Sequence, residues 1–153
     1  MATWRPGKHK DPLPASFFYL DIGGVITGHF RECSGLSSES EVIEHKAVDE
    51  KGRNIVFKIP GIIKYENLVL KRGVTDDMAM WEWRKMVEDG KIVEARRDGS
   101  IIMYNQDNEA VARWNFYNAW PVKVSGPQLS AGSNEIAVEE LTIAHEGMER
   151  VSP

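Results

Sequence analysis

The chain predicts a mainly β protein: an antiparallel β-barrel or sandwich of about eight strands with one flanking α-helix. Three observations lead there. Short apolar runs alternate between two faces, as a pleated strand requires. Turn-forming pairs such as Gly23-Gly24, Pro60-Gly61 and Gly126-Pro127 punctuate those runs. A single stretch, 76–89, switches to the three- and four-residue spacing of a helix.

Taken in order, residues 1–15 carry Pro6, Pro12, Pro14, Gly7 and several charges, which predicts an extended arm before a single domain at 16–153. Ser16 to Ile22 fits a strand with Phe18, Leu20 and Ile22 on one face and Phe17 and Tyr19 on the other. Apolar side chains on both faces imply that neither meets bulk water. Further strands are expected at Thr27–Cys33, Glu39–Ala47, Arg53–Ile59 and Asn67–Arg72, with a polar loop at Asp49, Lys51 and Gly52 and a break at Pro60-Gly61. In the helix, Thr75 or Asp76 supplies the cap. Ala79, Met80, Trp83, Met86 and Val87 make its apolar face, and Gly90 takes the left-handed position that ends it.

Two strands then flank a turn at Gln106-Asp107-Asn108, near Ala95–Asn105 and Ala110–Ala119. Trp114 and Phe116 share one face of the second, before Trp120-Pro121 and Gly126-Pro127 break the run. In the last strand Ile136 and Val138 have one parity, Leu141 and Ile143 the other. A phase slip of that kind predicts a β-bulge or strong bend at Glu139-Glu140, with the two halves serving different partners.

Composition narrows function. At 153 residues the chain is long enough for one domain that buries about 68–70% of its unfolded surface. A formal net charge of -4 gives no global pull toward nucleic acid. The lone Cys33 makes no intrachain disulfide and reads as a core thiol. No apolar run approaches the ~20 residues of a membrane anchor, and no apolar segment follows Arg5, Lys8 and Lys10 to make a signal peptide.

Catalytic, cofactor and metal residues are expected to be absent. His9, His29, His45 and His145 each stand alone. His145-Glu146-Gly147-Met148-Glu149 opens like a zinc-protease motif but has Glu149 where the second histidine belongs. Ser37, Ser38, His45 and Asp49 supply triad residue types on a hairpin that gives them no reason to converge. Glu139 and Glu140 point to opposite faces of a strand. Two rivals remain at this level: a monomeric ligand-binding barrel lined by tryptophans, and a hydrolase built on His45 or His145.

Several motifs run in order along nearly the whole chain. Gly28, Phe30 and Ser34-Gly35-Leu36 come first, with Glu39, Glu41 and Val42. Pro60-Gly61, Lys64-Tyr65-Glu66-Asn67 and Leu70-Lys71-Arg72-Gly73-Val74-Thr75 occupy the centre, then Trp81 and Trp83. Trp114, Phe116, Asn118-Ala119-Trp120-Pro121, Gly126-Pro127, Asn134-Glu135, Glu140-Leu141 and Ala144-His145-Glu146-Gly147 complete the set. In this wording the chain resembles the inner tube protein of contractile phage tails and bacterial contractile injection systems.

The resemblance implies a structural, non-enzymatic subunit without cofactors. Six-membered rings would stack helically into a hollow tube, with strands of neighbouring subunits joined in its wall. Implied partners are further copies of the chain, a contractile sheath protein, baseplate and tube-terminator proteins, and luminal cargo, DNA or effector protein. The subunit would be made in the bacterial cytoplasm and assembled into a particle. A tube-initiator or baseplate ring subunit is the nearest alternative. Candidate ring-stacking residues are Trp4 in the arm and Asp49, Glu50, Lys51 and Arg53 in the polar loop. Candidates for strand pairing between subunits are Phe17, Tyr19, Leu141 and Ile143.

Overall fold

Alternation sets the direction of the first strand. In β1 (Phe17–Ile22), Leu20 and Ile22 are fully buried and Phe18 packs on the same core, while Phe17, Tyr19 and Asp21 take the other face. The computed structural model describes residues 17–23, 26–128, 132 and 137–153, so the expected arm and Ile136 lie outside the described residues. The chain continues through β2 (Ile26–Phe30), β3 (Glu32–Ser34), the long β4 (Ser38–Val48) and β5 (Asn54–Tyr65), and β6 (Leu68–Gly73). Helix α1 (Ala79–Glu88) and the single turn α2 (Ile92–Ala95) precede β7 (Arg97–Tyr104), β8 (Ala110–Ser125), β9 (Val138–Ala144) and β10 (Gly147–Val151).

Every pairing is antiparallel. One sheet runs β2-β1-β7-β8-β9-β6-β3, with β10 beside β8; β4 and β5 form a separate pair. The ends of the large sheet, β2 and β3, are one stretch of chain interrupted only at Arg31, whose amide donates to the Lys71 carbonyl at 2.9 Å. The sheet therefore curls until its ends meet, and the barrel closes.

Leu20, Ile22, Phe30, Leu68, Leu70, Ile101, Phe116, Leu141 and Ile143 fill the interior, joined by Met80 and Trp83 of α1. Each such side chain contributes about 1.5–3 kcal/mol on full burial. The Trp83 indole N–H keeps a partner there, donating to the Ala95 carbonyl at 2.7 Å. Gly99 sits opposite Phe116 in the ladder, where a Cβ would stand 2.7 Å from that ring and 2.9 Å from the Asp21 carbonyl oxygen. Only glycine lets the ring lie there.

The helix starts later than its cap residues suggested. Asp77, not Thr75 or Asp76, accepts the first amide, that of Ala79, at 2.9 Å; Thr75 Oγ1 is spent accepting from the Asp77 amide. At the other end Gly90 has φ +81, Lys91 N–H donates to Met86 O and Gly90 N–H donates to Val87 O. Those paired bonds are the expected glycine terminator.

Two expected breaks do not occur. Pro60-Gly61 lies inside β5, which has no second neighbour among the described residues, so the missing proline amide leaves no ladder bond unmade. The irregularity is absorbed as a bulge between Ser40 and Val42. Trp120-Pro121 likewise lies inside β8, and the register against β9 shifts between Pro121 and Lys123.

The bulge expected at Glu139-Glu140 is also corrected. β9 pairs with β6 in unbroken register from Val138 to Ile143, and the shift belongs to β8. The inward positions of β9 are Glu139, Leu141 and Ile143. A buried charge, not an extra residue, interrupts the apolar pattern. Glu139 lies directly across from Arg72, with Arg72 Nε 3.5 Å from Glu139 Oε2 and both side chains at most 7% exposed. Asp77 Oδ2 stands 3.7 Å from Arg72 Nη1, and the Arg72 guanidinium lies over Phe30 at 5.3 Å. Trp81 Nε1–H donates to Glu139 Oε1 at 3.5 Å. The final segment does break, but at His145-Glu146, and both halves pair with β8.

Candidate assembly surface

A two-stranded ribbon is marginal in water unless something covers it. In this chain the ribbon is long. β4 and β5 pair from Ser38↔Tyr65 to Val48↔Asn54. Residues directly opposite one another share a face, so Ile43 with Ile59, His45 with Phe57, and Ala47 with Ile55 line one side. The His45 and Phe57 rings stack at 6.4 Å. The other side is mixed, pairing Val42 with Pro60, Glu44 with Lys58 and Lys46 with Val56. Of the thirteen exposed large apolar residues described, eight belong to this hairpin: Val42, Ile43, Val48, Val56, Phe57, Ile59, Ile62 and Ile63. Scattered exposure is ordinary, but concentration on one element marks an interaction surface.

The tip is organised by one carboxylate. Asp49 Oδ1 accepts from the amides of Lys51 at 2.9 Å and Arg53 at 2.7 Å, and Oδ2 accepts from Arg53 Nε at 2.9 Å. Gly52 completes the turn at φ +77. The root is held on both sides. Gly35, at φ +87, lies so close to the Asn67 carbonyl that no Cβ fits, and Lys64 Nζ donates to Glu41 Oε1 at 3.0 Å. Beyond the root β3 pairs with β6, so the hairpin prolongs two barrel strands that are already neighbours.

Asp49, Glu50, Lys51 and Arg53 therefore lie together at the tip, as expected, with Asp49 and Arg53 engaged in shaping it. Trp4 lies outside the described residues. The strand-pairing residues are corrected. β1 lies between β2 and β7, and β9 between β6 and β8, so neither offers an edge. Leu141 and Ile143 are fully buried in the subunit's own core. Phe17 and Tyr19 face outward into a cluster with His29 and Tyr104, where the Phe17 and Tyr104 rings stack at 5.1 Å. Among the described residues, the hairpin strands and β10 each have a side without a ladder partner. The apolar hairpin face was missed as a site because Ile55, Phe57 and Ile59 carry the alternation of a core strand.

The barrel's outer faces differ from the hairpin. Over β3, β6 and β9 the outward residues include Glu32, Lys71 and Glu140, with Lys71 Nζ 3.8 Å from one carboxylate and 3.9 Å from the other. Over β7 and β8, Ser100 Oγ–H donates to Asn115 Oδ1 at 2.8 Å and Arg113 Nη2–H donates to Ser100 Oγ at 3.1 Å. Tyr117 O–H donates to Glu149 Oε1 at 2.6 Å, and that bond holds the phenol above its ordinary 10.0. Burial pushes the Cys33 thiol up from 9.0 to about 12, the opposite of an activated nucleophile. Among the described residues no group of His, Cys, Asp and Glu is placed to hold a metal, and no helix is long and apolar enough to cross a membrane.

A closed barrel whose exposed large apolar side chains gather on a hairpin outside its core has the build of a structural assembly subunit. The chain belongs to the family described as T4-like virus tail tube protein gp19, which matches residues 14–149. It is thus a tail tube protein of the kind found in contractile injection systems. Among solved structures it is similar to a chain of the PVC sheath–tube complex of an extracellular contractile injection system in its extended state. There it is 26% identical, covers 93% of each chain and gives a TM-score of 0.72. A chain of the anti-feeding prophage cap (the AFP tube terminating cap) is 28% identical over 95% of this chain and 94% of that one, with a TM-score of 0.74. Hcp1 from Flavobacterium johnsoniae shares the fold at 17% identity, covering 90% and 96%, with a TM-score of 0.53. No curated protein sequence matches.

Proposed function

We propose that the chain forms six-membered rings that stack into the hollow inner tube of a contractile machine, conducting DNA or protein cargo inside a sheath. The observation that carries this reading is the β4–β5 hairpin, which has an apolar face and, among the described residues, no third strand beside it. A second copy is the occupant, because the hairpin extends directly from the barrel wall and presents free edges and a charged tip beside that face. Glu50 and Lys51 at the tip make the ring-stacking contact, while Asp49 and Arg53 give the tip its shape. Joining between subunits falls to the free edges of the hairpin and β10, a pairing that also shields them from uncontrolled aggregation.

Magnitudes explain why rings matter. Covering both sides of the hairpin, with eight side chains that are already about half buried, releases on the order of 6–12 kcal/mol, taking half of the usual 1.5–3 kcal/mol for each. Bringing two subunits together costs about 4–15 kcal/mol. One contact is close to break-even. Closing the ring tips the balance, because the closing contact joins two subunits already held in one assembly and adds no further association cost.

Negative-stain microscopy of the purified chain tests this. Tubes or stacked rings are expected, and replacing Asp49-Glu50-Lys51 by a short Gly-Ser turn should leave folded subunits but few long tubes. Isolated rings would assign the chain to the initiator role. A monodisperse monomer with saturable ligand quenching of tryptophan emission would replace the tube reading with the ligand-binding barrel.

A further inference from the structure

One side chain spans the joint between hairpin and barrel. His145 follows β9, and its ring meets a backbone carbonyl at each nitrogen: Nδ1 is 3.1 Å from Gly147 O and Nε2 is 3.1 Å from Glu66 O. Glu66 is the first residue beyond β5, where the chain leaves the hairpin. The rings of Tyr65 and Phe116 flank the imidazole at 5.4 Å and 6.3 Å. Carbonyl oxygens only accept. A neutral imidazole has one N–H and one lone pair, so in either tautomer one nitrogen would face a carbonyl lone pair to lone pair. The protonated ring donates to both.

We propose that His145 is a proton-dependent pin at the root of the hairpin. Charged, it ties the Glu66 carbonyl to the first residue of β10; neutral, it holds only one of the two. The titratable and charged groups on the elements around it are Tyr65 and the exposed Glu66 at the end of β5, Glu146 beside it, Tyr117 on β8 and Glu149 on β10. Most are engaged elsewhere. Glu146 accepts from Asn118 Nδ2 at 2.8 Å and lies 3.8 Å from Arg96 Nη1, while Tyr117 and Glu149 bind each other. Histidine is the side chain that ordinarily gains its proton between about pH 5 and 8. Protonation of the ring tightens the root and its loss loosens it. The pin lies within one chain and does not depend on tube formation, although the surface it steadies is the one assigned to assembly.

Hydrogen exchange on the full-length chain, at a concentration giving one sedimenting species, reads the pin directly. After correction for intrinsic rates, amides of 62–68 and 144–150 are expected to exchange about tenfold more slowly near pH 5 than near pH 8. The β1–β7 ladder should not change. His145→Gln, which carries no titratable proton, should abolish the dependence. Equal protection at both pH values, or a dependence that survives in His145→Gln, overturns the proposal. Should that variant fail to fold, nitrogen NMR of the wild-type ring decides. Slowly exchanging N–H protons on both ring nitrogens at the acid end support the pin, and N–H protons that exchange freely with solvent there overturn it. Failure to form tubes would count against the assembly reading alone, since every one of these signals arises inside a subunit.

Discussion

The barrel and the hairpin are built from similar strands that meet opposite fates. In the barrel, β1, β7, β8, β9 and β6 each have neighbours on both sides and bury a full row of side chains. In the hairpin, β4 and β5 run 11 and 12 residues with a single partner each, and Phe57, Ile59 and Ile43 remain about half exposed. Local alternation is therefore enough to make a strand but not to say where its apolar row is buried. The barrel buries its rows inside the chain, and the hairpin leaves one exposed.

The sharpest way to break the barrel side of that contrast is Arg72→Met. It strands Glu139 in the core without its countercharge and should cost about 3–5 kcal/mol in urea unfolding. Adding Glu139→Leu should restore most of the loss, because two matched apolar groups need no partner. A double variant as unstable as the single one would show the pair is not coupled. Next in size is Gly99→Ala, whose Cβ collides with Phe116 and the Asp21 carbonyl; about 1–3 kcal/mol is expected, read as a lower Tm.

On the hairpin the effects shrink in stability and grow in assembly. Asp49→Ala removes three bonds at the tip and should open it by about 1–2 kcal/mol, seen as faster exchange at residues 48–54 while the barrel amides stay protected. Smallest of all, Phe57→Ser with Ile59→Ser should move the unfolding midpoint by no more than about 0.5 kcal/mol, since both sites are half exposed. The same pair should remove tubes from micrographs. Normal tubes from that variant would end the assignment of this face to a second copy.

Much of this contrast was written in the residues. Leu20, Ile22, Trp114, Phe116 and the α1 stripe declare their faces by spacing alone, and Gly90 stops the helix where its missing side chain predicts. What failed to read had specific physical causes. Pro60 and Pro121 look like terminators, yet an unpaired edge and a bulge each excuse a missing amide. Glu139 breaks the apolar rhythm and imitates a phase slip, because its partner Arg72 lies 67 residues away in sequence and appears only once β6 meets β9. The hairpin's apolar row was visible, but a buried and an exposed row use the same side chains, and only the lack of a third strand among the described residues separates them.

The root of the hairpin has a mechanical meaning as well. Chain enters it from β3 through Gly35–Ser37 and leaves into β6 through Glu66–Asn67, and β3 and β6 are themselves paired. A thrust or pull along the hairpin therefore reaches the barrel through two rails side by side. Beyond them it meets the β6–β9 ladder, whose bonds from Leu68↔Ile143 to Gly73↔Val138 would slide against one another together instead of unzipping one at a time. A subunit wired in this way passes force along the hairpin into a paired ladder of barrel strands.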